Sequence, residues 1–245
     1  MVLAVKRQLT PANLVSSNGR MIIIGHRGAK GLAPENTLAA VKTALDYGVD
    51  EIEIDVRVTK DGVVVLNHDP FIWGHISQEF WITHHTYSEL KQHKPDLTTL
   101  DEAVKLVRRQ KPLLVEVKPD VNIEPIVKLV KQYLNKGWKF SDFLFCSFSK
   151  EALLDLNSSL PQIQKVVNER WSGIRATRRA RAIGTKRIGI NQQVLWSGYI
   201  RMMSRRGYQI CAYPLNDTNR ARKWAARGLF GAITDFPDRF TKKAR

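Results

Sequence analysis

The sequence has few cysteines and no long apolar run, and both absences narrow the class of protein. Its two cysteines, Cys146 and Cys211, lie within short apolar runs, which predicts buried free thiols rather than the disulfide framework of a small secreted domain. No apolar stretch approaches the roughly 18 residues of a membrane span. The N-terminal segment places its apolar residues before its basic ones, the reverse of a signal peptide. We therefore expect a soluble protein of a reducing compartment, the cytoplasm.

Acidic residues are scarce in the last third of the chain. The formal net charge is +16, and residues 165–245 hold 19 lysines and arginines against 4 acids, whereas the first 164 residues hold 20 against 19. Residues 170–187 contain seven basic residues and no acid, and their middle is predicted to form a short helix. Such a segment attracts an anionic membrane surface. Nucleic acid is a less favoured partner, and an ordinary solvated face explains the charge equally well.

Internal repeats and low-complexity segments are also absent, and an alternation of two patterns is present instead. The chain contains eight short runs of β-branched or aromatic residues, and most of the segments between them have helical periodicity. The runs are Met21–Gly25, Glu51–Val56, Pro112–Val117, Phe143–Ser147, Ile163–Val167, Arg187–Ile190, Tyr208–Tyr213 and Gly231–Thr234. Eight alternating strand and helix units close into a parallel barrel. The sequence therefore predicts an α/β protein whose residues 21–245 form a single (β/α)8 (TIM) barrel domain, preceded by an extension, residues 1–20, without an assigned role.

A ninth apolar run, Val63–Asn67, does not fit this alternation. Only a few residues, with Asp61-Gly62 as the turn, separate it from the second predicted strand, and a parallel crossover needs a dozen or more. The run is therefore predicted to fold back as an extra hairpin strand. Reflection about the turn places His68 roughly opposite Asp55, at the rim of the barrel.

Three carboxylates are predicted to lie at this rim. Glu53 and Asp55 are two apart on one strand, so their side chains leave the same face, and Glu116 has the corresponding place on the next ring strand. Clustered carboxylates repel one another unless a cation neutralises them. An oxygen-only ligand set favours Mg²⁺ or Ca²⁺ over zinc.

Two histidines are candidate proton carriers. His26 follows the first strand directly, beside Arg27 and between Gly25 and Gly28; these glycines let the backbone approach a ligand, and the guanidinium can bind a phosphate. The predicted hairpin brings His68 to the same rim. With an ordinary pKa near neutrality, two imidazoles can act as general base and general acid on a metal-bound phosphate.

Together these segments resemble the glycerophosphodiester phosphodiesterase family over about residues 21–240. The matching motifs are His26–Thr37, Glu53–Val56 with Thr59–Gly62 and His68–Pro70, Glu116–Pro119, Ser147–Ser149 and Gly231–Asp238. The resemblance implies a metal-dependent enzyme that hydrolyses glycerophosphodiesters, which are deacylated phospholipids, to glycerol 3-phosphate and an alcohol.

The resemblance also implies roles for individual residues. Glu53, Asp55 and Glu116 would hold one divalent cation, either Mg²⁺ or Ca²⁺. His26 and His68 would be the catalytic pair, in an order that the sequence leaves open. Arg27 and Lys118 would contact the phosphate. For Glu35 we expect a supporting role, orienting Arg27.

The chain departs from the family pattern in two loops, and substrate choice lies in loops. Residues 71–76 read Phe-Ile-Trp-Gly-His-Ile, where an Arg-Thr-Thr stretch is more usual; these aromatics would form either a wall for a lipid chain or a small core of their own. Tyr213 stands where a tryptophan is more usual and would serve as an aromatic substrate wall.

Two alternative functions stay open. The first is a lysophospholipase D-type or sphingolipid-directed phosphodiesterase, in which intramolecular attack forms a cyclic phosphate. The second is a noncatalytic module that binds anionic lipid or RNA through the basic last third of the chain. The intact trio of acids argues against the second, because a dead site has no physical need for clustered carboxylates.

Overall fold

The computed structural model describes residues 20–74 and 78–242, so residues 1–19 of the predicted extension lie outside the described residues. The strands in these ranges are β1 (Ile22–Gly25), β2 (Glu51–Val58), β3 (Val64–Leu66), β4 (Phe71–Trp73), β5 (Glu79–Trp81), β6 (Leu113–Val117), β7 (Phe143–Ser147), β8 (Gln164–Glu169), β9 (Arg187–Asn191), β10 (Gln209–Tyr213) and β11 (Gly231–Thr234). The helices are α1 (Leu38–Asp46), α2 (Tyr87–His93), α3 (Leu100–Val107), α4 (Glu124–Asn135), α5 (Lys150–Ser159), α6 (Gly173–Ile183), α7 (Ser197–Arg205) and α8 (Thr218–Ala225).

Eight of the described strands form a closed parallel ring. β1 pairs with β11 on one side, where Ile22 lies opposite Gly231, and with β2 on the other, where Ile24 lies opposite Glu51. The remaining ring neighbours follow the order β2, β6, β7, β8, β9, β10 and β11. Each of the eight predicted runs contributes one ring strand, and the helices lie between them along the chain. The predicted (β/α)8 barrel is therefore confirmed.

β3 is the predicted extra strand. It pairs antiparallel with the end of β2, outside the ring. Its register differs from the prediction by one residue, because Asn67 donates its backbone N–H to the carbonyl of Asp55 at 3.2 Å. The connection is a five-residue turn, closed by a hydrogen bond from Thr59 N–H to the carbonyl of Val63 at 3.0 Å, rather than a tight Asp-Gly turn. His68 is consequently the first residue beyond the paired segment.

The two faces of β2 have opposite character. Ile52 and Ile54 pack outward in the large core between the ring and its helices. Glu51, Glu53 and Asp55 alternate with them and are also buried, so they point to the inside of the ring. A strand that is buried on both faces thus carries its acids on one face only.

A small apolar cluster fills the inside of the barrel. Its members come from six different ring strands: Ile22, Ile24, Leu114, Leu144, Cys146, Val166, Cys211 and Ile233. Both cysteines belong to it, and both are buried free thiols, as predicted. Aliphatic side chains and thiols that close-pack here leave no room for bulk water below the carboxylates.

A buried ion pair crosses the amino-terminal end of the ring. Glu51 is the first residue of β2 and Arg187 the first of β9. The guanidinium donates two hydrogen bonds to the carboxylate, at 2.9 and 2.6 Å. Burial alone would lower the pKa of Arg187, but the Glu51 charge raises it above its usual value. The pair is a fork-to-fork contact between strands on different sides of the barrel.

The unusual segment after His68 forms a hairpin of its own, β4 with β5. Phe71 contacts Trp73 and Trp81 edge to face, with ring centroids 4.8 and 5.7 Å apart. Beneath the hairpin a separate apolar cluster consists of Val65, Ile72, Ile82, Leu90 and Leu97. These contacts favour a small core over a lipid-binding wall. His75 and Ile76 of this segment lie outside the described residues.

The most basic segment contains α6, the predicted short helix. Ser172 caps its start by accepting a hydrogen bond from the Arg175 backbone at 3.3 Å, and Gly184, with φ +79°, ends it in the left-handed conformation that glycine adopts most easily. Within residues 20–74 and 78–242, every helix is too short or too polar to cross a bilayer.

Candidate active site

The carboxyl ends of the ring strands surround a cavity of about 280 Å³. Active sites of such barrels lie at this end, because the loops after the strands can vary without disturbing the ring. The predicted site residues that line the cavity are His26, Arg27, Glu53, Asp55, His68, Glu116, Lys118 and Tyr213. Glu35 lies beside the cavity and contacts Arg27. The structure thus brings all nine predicted residues to one place.

Three buried carboxylates form the centre of the cavity. Glu53 and Asp55 come from β2 and Glu116 from β6, with Asp55 directly opposite Glu116 in the parallel register. Each offers an oxygen, and these oxygens all lie within 4.8 Å of one another. Hard oxygen donors at this spacing suit a hard divalent cation.

Two buried asparagines orient these acids. Asn36 donates to Asp55 Oδ2 at 2.9 Å and accepts from the Asp55 backbone N–H at 3.0 Å. Asn168, near the end of β8, donates to Glu116 Oε2 at 2.9 Å. We did not predict either role from the sequence. One signal in the sequence could have indicated these roles: each asparagine is a polar residue at a position where the strand or motif pattern predicts a buried side chain.

The charges in the cavity are unevenly compensated. Burial raises the pKa of Glu53 well above its usual range, and the charges of Asp55 and Glu116 raise it further. Burial acts in the same direction on Asp55, but the positive charges of Lys118 and Arg27 outweigh it and lower that pKa. Lys118 donates hydrogen bonds to both Asp55 and Glu116. One ammonium group therefore serves two carboxylates, and Glu53 has only part of a counter-charge.

This imbalance is the evidence that the residues present fit a divalent cation. Burial and two like charges destabilise the ionised form of Glu53, which is why its pKa is raised. A bound cation would stabilise that ionised form. The three side chains supply only oxygen ligands, which is the donor set that Mg²⁺ and Ca²⁺ prefer. The lining therefore suits a site for one such ion.

His26 is held by an acidic partner from the far end of the chain. Its Nδ1 lies 2.6 Å from Asp235 Oδ1, just after β11. Asn216 donates to the other oxygen of Asp235 at 2.8 Å. Burial would raise the pKa of Asp235, but the hydrogen bonds from His26 and Asn216 lower it. An ionised carboxylate at Nδ1 fixes the orientation of the ring, so Nε2 is the nitrogen left to contact a substrate. Asp235 belongs to the last of the sequence motifs, but the sequence did not indicate this role.

His68 has a different environment. Its Nδ1 lies 2.8 Å from Asp69 Oδ1, and the pair is more exposed than His26 with Asp235. Burial of the ring lowers the pKa of His68, and the positive charge of Lys118 lowers it further, whereas Asp55 acts in the opposite direction. The lowered pKa favours the neutral imidazole, which is able to accept a proton.

Arg27 connects the acids to the loop after β1. Its backbone has φ +50°, and its N–H donates to Glu53 Oε2 at 2.8 Å. Its side chain donates to Glu35 Oε1 at 2.6 Å and places Nε 3.2 Å from Asp55 Oδ2. Gly28 follows with φ +82°, a conformation that is strained for other residues. The loop thus holds a guanidinium beside the carboxylates.

The remaining wall of the cavity is aromatic and basic. The Tyr213 hydroxyl donates to the carbonyl of Glu169 at 2.8 Å, and its ring meets Phe148 edge to face at 6.0 Å. The Arg170 guanidinium lies over the Phe148 ring, 5.3 Å from its centroid. Tyr213 was a predicted member of this wall, whereas Phe148 and Arg170 were not predicted. Phe148 directly follows β7 and Arg170 directly follows β8. Loop positions of this kind accept many residue types, so the residue type alone did not indicate that these side chains face the cavity.

The cavity thus combines an acid cluster that suits a divalent cation, cations that suit an anionic substrate, and two histidines with carboxylate partners. Such side chains can carry out general acid–base chemistry on a phosphate ester. At the carboxyl end of a (β/α)8 barrel, this combination defines the class of phosphodiester-cleaving enzymes.

Comparison with known proteins gives the family. The model of the glycerophosphoryl diester phosphodiesterase family matches residues 26–239, and the chain belongs to this family. It is 27% identical to a glycerophosphodiester phosphodiesterase of Bacillus subtilis over 94% of this chain and 88% of the relative. The chain is thus an enzyme with glycerophosphodiester phosphodiesterase activity.

Two solved structures are similar along nearly the whole chain. One is an Oleispira antarctica phosphodiesterase in complex with its product sn-glycerol-3-phosphate; it is 26% identical, with a TM-score of 0.80 over 94% of this chain and 96% of that one. The other is a glycerophosphodiester phosphodiesterase from Thermotoga maritima, 27% identical, with a TM-score of 0.73 over 90% and 96% of the two chains.

Proposed function

We propose that this enzyme hydrolyses glycerophosphodiesters to glycerol 3-phosphate and an alcohol, and that it requires one divalent cation. The observation that carries the proposal is the convergence of Glu53, Asp55 and Glu116 with two histidines on one cavity. The similar Oleispira antarctica enzyme was solved with glycerol 3-phosphate as its product, which supports the same product here.

Glu53, Asp55 and Glu116 would hold the cation, Mg²⁺ or Ca²⁺. When bound, it supplies Lewis-acid stabilisation of negative charge on the phosphoryl oxygens. Arg27 and Lys118 bind the phosphate group from the protein side, with Glu35 holding the Arg27 side chain in place. Their positive charges also match the additional negative charge of the transition state.

The different environments of the two histidines support separate roles for them in proton transfer. The lowered pKa of His68 favours its neutral form, so it takes the proton of the attacking water. His26, whose Nδ1 is held by Asp235, would enter the reaction with both ring nitrogens protonated and give the Nε2 proton to the leaving alkoxide. One P–O bond forms, one breaks, and each proton has a stated donor and acceptor.

Release of glycerol 3-phosphate from glycerophosphocholine and glycerophosphoethanolamine tests the proposal. We expect release with added Mg²⁺ or Ca²⁺, none above background with a chelator, and recovery when the metal is restored. His26→Ala is expected to lose activity while circular dichroism stays unchanged. Phosphorus NMR identifies the product: a cyclic phosphate would contradict hydrolysis by water, and release that persists in chelator would contradict the metal requirement.

The pH dependence of kcat/KM tests the role of His68. Because His68 must be unprotonated to act as base, activity falls as the pH drops below its pKa, about tenfold per pH unit. Burial and Lys118 lower that pKa, so the midpoint of the acidic limb is expected below the ordinary histidine value of about 6.5. A profile between pH 4.5 and 8 measures it. An acidic midpoint above 6.5 would assign the base to another group.

A further inference from the structure

Large apolar side chains are exposed together at one place on the surface. Trp171 and Ile174 are each 70% exposed, Trp196 is 63% exposed and Met202 41%. Ile174, Trp196 and Met202 line a groove of about 520 Å³ between α6 and α7, which we call the α6–α7 groove. Trp171 lies one residue before its lining. Scattered apolar residues are ordinary on a surface, but a contiguous group marks an interaction site.

One end of the groove lies beside the mouth of the catalytic cavity. Arg170, which lines that cavity, directly precedes Trp171. Asn191, at the end of β9, also lines the cavity, and Trp196 follows five residues later at the start of α7. Both tryptophans therefore follow carboxyl ends of ring strands, at the end of the barrel where the cavity opens.

Uncompensated positive charge surrounds the groove. Arg178, Arg181 and Arg206 line it. Within the described part of the chain no acidic side chain forms an ion pair with any of the three, in contrast to Arg175 and Arg179, which both pair with Glu169. Guanidinium groups without an acidic partner favour phosphate, whose oxygens they bind in a fork.

The charge and the apolar side chains of the groove favour one kind of binding partner over two others. A second copy of the chain, also of net charge +16, would bring like charges together around the groove. Nucleic acid would match the arginines but not the exposed aliphatic Ile174 and Met202. An anionic bilayer matches both, because tryptophan prefers the interface between headgroups and acyl chains while arginine contacts the headgroup phosphates.

We propose that the α6–α7 groove is a docking surface for an anionic phospholipid bilayer. Trp171, Ile174 and Trp196 enter the interfacial layer, and the groove arginines bind lipid phosphates. The catalytic cavity then opens next to the membrane, where deacylation of phospholipids, the class of reaction that supplies glycerophosphodiesters, takes place. The docking surface itself does not depend on the proposed function.

Sedimentation with sucrose-loaded vesicles tests this surface. We expect the full chain to partition onto vesicles of phosphatidylcholine with 30% phosphatidylglycerol and not onto phosphatidylcholine alone. The double variant Trp171→Ala/Trp196→Ala is expected to bind about tenfold more weakly, because interfacial burial of both rings is lost. Trp73→Ala, which removes a tryptophan 55% exposed on the β4–β5 hairpin, is the matched control and should bind as wild type.

Two double variants that remove the same charge at different places distinguish contact of the groove arginines with lipid from a general attraction of the basic protein to the anionic vesicle. Arg178→Gln/Arg181→Gln is expected to weaken binding about fivefold per arginine. Lys128→Gln/Lys131→Gln on α4 removes the same charge elsewhere and should change binding much less. Equal losses in the two double variants would overturn the proposal, because net charge alone would then explain the attraction.

Two other results would also overturn it. A concentration-dependent dimer in analytical ultracentrifugation, abolished by Trp171→Ala/Trp196→Ala, would assign the groove to a second copy. Undiminished binding of that variant to the vesicles, with weakened binding to single-stranded RNA, would assign it to nucleic acid. Hydrolysis of a water-soluble glycerophosphodiester without vesicles should be unchanged in the groove variants, and vesicle binding needs no activity, so the proposal and the proposed function can fail separately.

Discussion

Glu116→Gln is expected to lower kcat/KM for a glycerophosphodiester by about 10³-fold. The substitution keeps the size of the side chain and removes one negative charge from the acid cluster. Glu116 is a candidate ligand, accepts from Asn168 at 2.9 Å and accepts from Lys118. The amide would weaken the cation site and release one of the two contacts that hold the Lys118 ammonium group.

Metal binding supplies a second readout for the same variant. A ligand that binds only the folded state raises its stability by mass action, so Mg²⁺ or Ca²⁺ should raise the Tm of the wild type and much less that of Glu116→Gln. Glu124→Gln, at the exposed start of α4, is the control and should behave as wild type in both measurements. Full activity of Glu116→Gln would show that the Glu116 carboxylate is not needed as a metal ligand.

Arg187→Met is expected to lower the free energy of unfolding by about 3–5 kcal/mol. The variant leaves the Glu51 carboxylate buried without the two hydrogen bonds that it now receives at 2.9 and 2.6 Å. Urea denaturation followed by tryptophan fluorescence measures the loss. Because the pair lies at the amino-terminal end of the ring, the folded fraction should keep its kcat.

The double variant Glu51→Gln/Arg187→Met separates two explanations of that loss. If the cost comes from an unpaired buried charge, removing the charge should restore most of the stability, since buried ion pairs contribute little net stability compared with neutral replacements. If the cost comes from lost packing, the double variant should be as unstable as the single one. A loss below about 1 kcal/mol in Arg187→Met would show that water reaches the carboxylate.

Strand periodicity was sufficient to predict the ring, because each ring strand is an apolar run bounded by turns. Leu113–Val117 is buried along its whole length, and a strand buried on both faces has this pattern in any parallel barrel. The side of β2 that carries Glu53 and Asp55 followed from alternation alone. These predictions depend on local spacing, which the sequence contains directly.

The partners of the site residues could not be predicted in the same way. Asp235 is 209 residues from His26, and Asn168 is 52 residues from Glu116. Such contacts are set by the order and stagger of the strands, which no local pattern specifies. The one-residue difference at His68 has a related cause, since the register of a hairpin depends on the length of its turn. The Arg170 and Phe148 wall depends on loop conformation.

Closure of the ring between β1 and β11 has a consequence for protein synthesis. His26 leaves the ribosome early, and Asp235, its hydrogen-bond partner, is translated 209 residues later. At about 5–20 residues per second, roughly 10–40 s separate the two. Until β11 arrives, β1 has one open edge and His26 lacks the carboxylate that orients it. The strand that closes the barrel is therefore followed at once by the carboxylate that orients His26, so the ring and this contact are completed together at the end of synthesis.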